Sequence, residues 1–150
     1  MATITLKDFD TPILIETYNT QGFFFESKIW DARILIPALI NNARLRIIFI
    51  DDAIDDRVLN YLKAVDTQIT PIIYTSSDNL LMRHDIALHN RHFTPVRLKL
   101  SQCGYDHYLI IDDTIYILSD SFNELEKGIL TLTEIKSTSP DELINSIEFN

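Results

Sequence analysis

The sequence predicts a single α/β sandwich domain whose mixed, largely parallel sheet is flanked by helices, and three features carry that prediction. Short β-branched runs, RIIFI at 46–50, PIIYT at 71–75 and VRLKL at 96–100, alternate with segments of helical apolar spacing, an order that implies right-handed crossovers and parallel pairing. Two further apolar runs, 108–111 and 114–118, are joined only by Asp112 and Asp113, the spacing of a tight antiparallel hairpin. The 150 residues suffice for one sizeable core and are too few for two comfortable ones, so residues 1–150 are taken as one domain.

Taken in order, residues 13–18 (ILIETY) and 23–25 (FFF) flank the turn-prone Thr20-Gln21-Gly22 and predict a short hairpin. Residues 27–42 place Ile29, Trp30, Ile34, Leu35, Ala38 and Leu39 on one helical face, with Pro37 predicting a kink or a late start. After the 46–50 strand comes the acidic loop DDAIDD (51–56), where Asp55 or Asp56 is placed to cap a helix through about Val65. Val58, Leu59, Leu62 and Val65 form its buried side.

The 71–75 strand leads through SSDN into a helix over roughly 80–90, and the 96–100 strand follows with Arg97 and Lys99 outward. Beyond the hairpin, a short helix at 122–126 is ended by Gly128, and ILTLTEI (129–135) supplies a last strand. The segment 139–147 has a capping box, Ser139 with Glu142, and Pro140 at the first helical position.

Charge is the first functional clue. With 22 acidic and 13 basic side chains the formal charge is −9, which repels phosphate backbones at long range and attracts basic partners; only a local basic patch would override it. A single cysteine, Cys103, excludes an internal disulfide and points to a reducing, cytoplasmic setting. The amino terminus lacks a signal-peptide pattern, and apolar windows such as ILIPALI (34–40) fall well short of the roughly 20 residues a bilayer crossing needs. Neither membrane association nor a cofactor is expected.

Several collinear segments carry a family resemblance: residues 22–52, IDDRVLNYL (54–62), IIYTSS (72–77), HDIALHN (84–90) and YDHYLIIDDTIYILSDSFNELEKG (105–128). Their order and wording resemble the small phospholipase D-like domain of bacterial and phage-derived proteins, most strongly over 22–135. The family signature is His-x-Lys, four further residues, then Asp. The resemblance implies that its histidine attacks phosphorus, its cation stabilises phosphoryl charge and its aspartate orients a histidine.

By register, Tyr105 takes the nucleophile position, His107 the cationic position and Asp112 the acid position, so two of three are changed. Tyrosine, with an unperturbed pKa near 10 against about 6.5 for histidine, is a far weaker nucleophile at neutral pH. Loss of a fixed cation at a phosphoryl site costs on the order of several kcal/mol of transition-state stabilisation. Downstream, Ser119 stands where the family often has a glycine, Asp120 after it adds a carboxylate where phosphate would sit, and Ser121 keeps its small hydroxyl. The family assembles its site from two motifs, by duplication or by a two-fold dimer, and this chain has one. The expectation is a degenerate site on a homodimeric binding or regulatory module, inhibiting a basic partner such as a nuclease or toxin. The alternatives are a divergent phosphodiesterase using His107 with Asp112, and a nucleic-acid or nucleotide binder that does not cleave.

Other constellations have simpler readings. Asp51, Asp52 and Asp55 lie at the end of a parallel strand, where α/β folds place ligands and where a divalent cation would sit, although helix capping accounts for such residues more cheaply. Asp51, Asp52 and Asp120 are the binding candidates. His84, His89 and His92 do not share one helical face and read as solvated helix-end histidines near Arg91, rather than as a metal set. Cys103 reads as a partly buried, inert thiol.

Overall fold

The computed structural model describes residues 17–18, 24–25, 28–76, 80–102, 106–118 and 129–148. In chain order these form strands β1 (Thr17–Tyr18), β2 (Phe24–Phe25) and β3 (Lys28–Asp31), helix α1 (Ala32–Asn41), strand β4 (Ile47–Ile50) and a 3-10 helix (Asp56–Leu62). There follow β5 (Ile72–Thr75), α2 (Leu80–His92), β6 (Arg97–Leu100), β7 (His107–Ile111), β8 (Thr114–Leu118), β9 (Ile129–Ile135) and α3 (Pro140–Glu148).

Among the described residues seven strands make one mixed sheet in the order β3-β9-β8-β7-β4-β5-β6, and β1 pairs separately with β2 in the antiparallel sense. The β4-β5 and β5-β6 pairs are parallel, as the strand–helix–strand rhythm predicts. The other four pairings are antiparallel, so the parallel part is confined to one half of the sheet. The cause is β7: it enters beside β4 in the antiparallel sense, Ile50 facing Tyr108 and Ile47 facing Ile111, and β8 and β9 each add antiparallel to the strand before.

Alternation along the strands builds two cores. On one face Ile47 and Phe49 of β4, Ile73 of β5, Leu109 and Ile111 of β7 and Tyr116 of β8 pack under α1, the 3-10 helix and α2. On the other, Ile48, Ile50, Tyr74, Ile110 and Ile115 are covered by α3 through Ile147, Leu143 and Ile144. The continuous apolar run 47–50 is thereby explained, because a strand buried on both faces needs no polar alternation.

Two segments depart from the periodicity reading. Residues 28–31 are a strand, not the first turn of a helix, because β9 has an open edge and their backbone pairs with it, Lys28 against Leu132 through Asp31 against Ile129. Helix α1 therefore starts late, with Pro37 inside it. The segment after the acidic loop is a 3-10 helix ending at Leu62: Asp55, in extended geometry, caps it by accepting from Arg57 N–H. Three residues per turn bring Leu59 and Leu62 onto one inward line. At α3 the capping box closes in one direction only. Glu142 N–H donates to Ser139 Oγ at 3.2 Å, while the Glu142 carboxylate accepts from the Thr138 hydroxyl instead. The proposed helix at 122–126 lies outside the described residues. Among the described residues no helix is long and apolar enough to cross a membrane.

Candidate functional site

The carboxyl ends of β4, β5 and β6 meet the amino end of β7 and the carboxyl end of β8 at one rim of the sheet. Continuing the β4–β7 register one step past Ile50 and Tyr108 sets Asp51 beside His107. Asp51 continues the inward series Ile47, Phe49, and His107 the series Ile111, Leu109, so both belong to the face beneath α1 and α2. His107 Nδ1 lies 3.1 Å from Asp51 Oδ1.

Asp51 is wholly buried, at 0 % exposure, and its Oδ1 also accepts from Ala53 N–H at 2.9 Å. An ionised carboxylate only accepts, so the shared hydrogen bond makes Nδ1 the protonated nitrogen and leaves Nε2 with the lone pair in the neutral ring. The imidazole is partly open to solvent, at 23 % side-chain exposure. A buried acid thus fixes both the orientation and the tautomer of a histidine at the rim.

Neighbouring acids are engaged locally. Asp52 Oδ1 accepts from Ser76 N–H at 3.1 Å, tying the loop after β4 to the loop after β5. Thr75 is buried at the end of β5. Asp106 accepts from the Tyr108 hydroxyl, and burial followed by the charge of Asp106 raises the Tyr108 phenol above its ordinary value. Asp55 is held in a pair with Arg57 at 2.7 Å, in keeping with the capping reading. No group of three or more His, Cys, Asp or Glu is arranged to hold a metal ion among the described residues.

Asp112 is not part of this arrangement. It occupies the turn between β7 and β8, five residues from His107 along an extended strand, roughly 16 Å at about 3.3 Å per residue. Its carboxylate accepts from three consecutive backbone N–H groups, Arg44 at 3.1 Å, Leu45 at 2.6 Å and Arg46 at 3.1 Å. Its carbonyl accepts from Arg46 Nε at 2.6 Å. Within the chain Asp112 therefore does not reach His107, and Asp51 is the acid in contact with that ring. Tyr105, Ser121, Asp120 and Cys103 lie outside the described residues.

One residue was misjudged from the sequence. His84 and His92 are exposed, but His89 is buried on the inward stripe of α2 with Met82 and Ile86. Its Nε2 donates to Thr94 O at 3.1 Å, and burial lowers its pKa, so the ring is held neutral. Positions 82, 86 and 89 follow the i, i+4, i+7 spacing, a signal already present in the sequence.

No family model and no curated protein matches the chain. Solved structures do resemble it. One is NucT from Helicobacter pylori, a phospholipase D-family nuclease, at 15% identity over 77% of this chain and 82% of that one, with a TM-score of 0.52. Another is TrmBL2, an archaeal chromatin protein, at 14% identity over 72% of this chain and 45% of that one, with a TM-score of 0.43. Identity this low shows likeness of fold alone, and on that basis the chain has an α/β fold resembling that of a phospholipase D-family nuclease.

Proposed function

We propose that the chain is a phospholipase D-like domain that binds rather than cleaves, engaging a basic protein partner at the strand-end rim and regulating it. The observation that carries this reading is the immediate environment of His107. Its ring is hydrogen-bonded to the buried carboxylate of Asp51, and Asp52 and Asp106 stand at the same end of the sheet. Phosphodiester cleavage needs positive charge where phosphoryl charge develops, and carboxylates there oppose both substrate approach and the transition state. The net charge of −9 adds long-range attraction for a basic protein. A homodimer, as the resemblance implies, belongs to the same reading.

The orientation of His107 favours a second reading, a divergent phosphodiesterase. With Nδ1–H held by Asp51, the Nε2 lone pair is set to attack phosphorus or to take a proton from water. One assay separates the two. On bis(p-nitrophenyl) phosphate and on single-stranded DNA, purified protein is expected to show no turnover; turnover that vanishes in His107→Ala would replace the first reading by the second. DNA binding that weakens steeply with added salt, without cleavage, would instead identify a nucleic-acid binder.

A further inference from the structure

Residues of the 3-10 helix and α2 line a groove of about 250 Å³ that shares no lining residue with the His107 rim. Leu59 and the exposed Leu88 give it apolar walls, and Asp56 and Asp85 bring one carboxylate from each helix. His89 lines it as well, 6 % exposed. Because Nε2–H is committed to Thr94 O, the neutral ring presents its lone pair at Nδ1, and that atom is buried without a hydrogen-bond partner among the described residues. A buried acceptor left unmade is unfavourable, and a ligand that brings an N–H group would relieve it.

We infer that this groove receives an arginine side chain presented by a basic partner protein, an assignment that rests on the reading of such a partner given above. Two carboxylates disfavour an anion, and the absence of a metal-holding group among the described residues disfavours a cation without N–H donors. A guanidinium answers the two carboxylates, the apolar walls and the unpartnered acceptor together. Its aliphatic stem lies along Leu59 and Leu88, its planar fork bonds a carboxylate through two N–H groups, and further N–H groups remain for His89 Nδ1. Lys63 also lines the groove, its Nζ standing 5.7 Å from the centre of the Phe93 ring, and its charge acts on His89.

The test is a nuclear magnetic resonance titration of the whole chain with N-acetyl-arginine methylamide and, separately, with the neutral citrulline analogue. The arginine compound is expected to shift the amides of Leu88, His89 and Phe93 and to move the His89 Nδ1 resonance toward a hydrogen-bonded acceptor. The citrulline analogue and the surface variant Asp85→Asn are each expected to bind at least about fivefold more weakly. Equal binding of the two compounds, a bound state with an unmoved His89 ring nitrogen, or no shift at millimolar arginine compound would each overturn the assignment. Phosphodiesterase turnover at the rim would overturn the partner reading without touching this titration, so the two failures are distinct.

Discussion

Replacing Asp112 distinguishes a structural acid from a catalytic one. Its carboxylate gathers three successive backbone N–H groups of residues 44–46, joining the α1–β4 loop to the β7–β8 turn. A hydrogen bond to a charged group contributes about 1.5–3 kcal/mol when buried. These bonds are exposed or half-buried, and water replaces much of each, so roughly 2 kcal/mol for the set is the realistic loss. The backbone adds a second contribution: Asp112 has φ of 55°, the left-handed region, which an aspartate tolerates and an alanine enters at a cost of about 1 kcal/mol. Asp112→Ala should therefore lose about 3 kcal/mol, Asp112→Gly about 2 kcal/mol because the turn is relieved, and Asp112→Asn about 1 kcal/mol because one oxygen still accepts. Urea denaturation at neutral pH measures the series, and for a domain of this size the alanine variant should melt roughly 6–12 °C lower. The His107 ring resonances should not move in Asp112→Asn. A series flat to within about 0.5 kcal/mol, or a His107 ring that responds to Asp112, would refute this assignment.

Asp51→Asn should remove the fixed tautomer of His107, seen as mixed Nδ1 and Nε2 protonation in nitrogen spectra, and should cost about 1–3 kcal/mol in denaturation because a buried charge-assisted bond is weakened. His89, whose pKa is lowered first by burial, binds a proton more readily unfolded than folded; stability should fall as pH drops below 6.5, and His89→Phe should flatten that stretch of the urea-midpoint profile. Glu148 is held below its ordinary 4.5 first by the Tyr74 hydroxyl and then by Lys99, so its contribution is present above 4.5 and lost as pH falls through the lower folded value. Amide exchange in α3 should rise across that acid window in the native chain and show no such step in Glu148→Gln. Arg46→Ala, which loses its bonds to the Asp112 carbonyl and to Asp141, should loosen the same turn by about 1 kcal/mol in the urea series.

The paired acids at 112 and 113 show why a linear motif misleads. They follow His107 at the spacing a catalytic signature requires, yet an extended strand carries position 112 to the opposite rim, where the unsatisfied N–H groups of a loop take up its charge. Asp51, distant in sequence, reaches His107 because β7 lies antiparallel to β4. Spacing along the chain cannot express that proximity.

Much of the architecture was decided locally. The β-branched runs at 47–50 and 72–75, the Asp112-Asp113 turn, the Asp55 cap and the Pro140 helix start follow from backbone sterics, burial period and turn chemistry, which act within a few residues. What the chain could not state for itself were the features made between distant segments. These include the pairing of 28–31 with β9, the antiparallel entry of β7, the contact of Asp51 with His107, and the bond of His89 Nε2 to Thr94 O. Each depends on which backbone edges and polar atoms remain unsatisfied once the sheet has assembled, and only the folded molecule determines that.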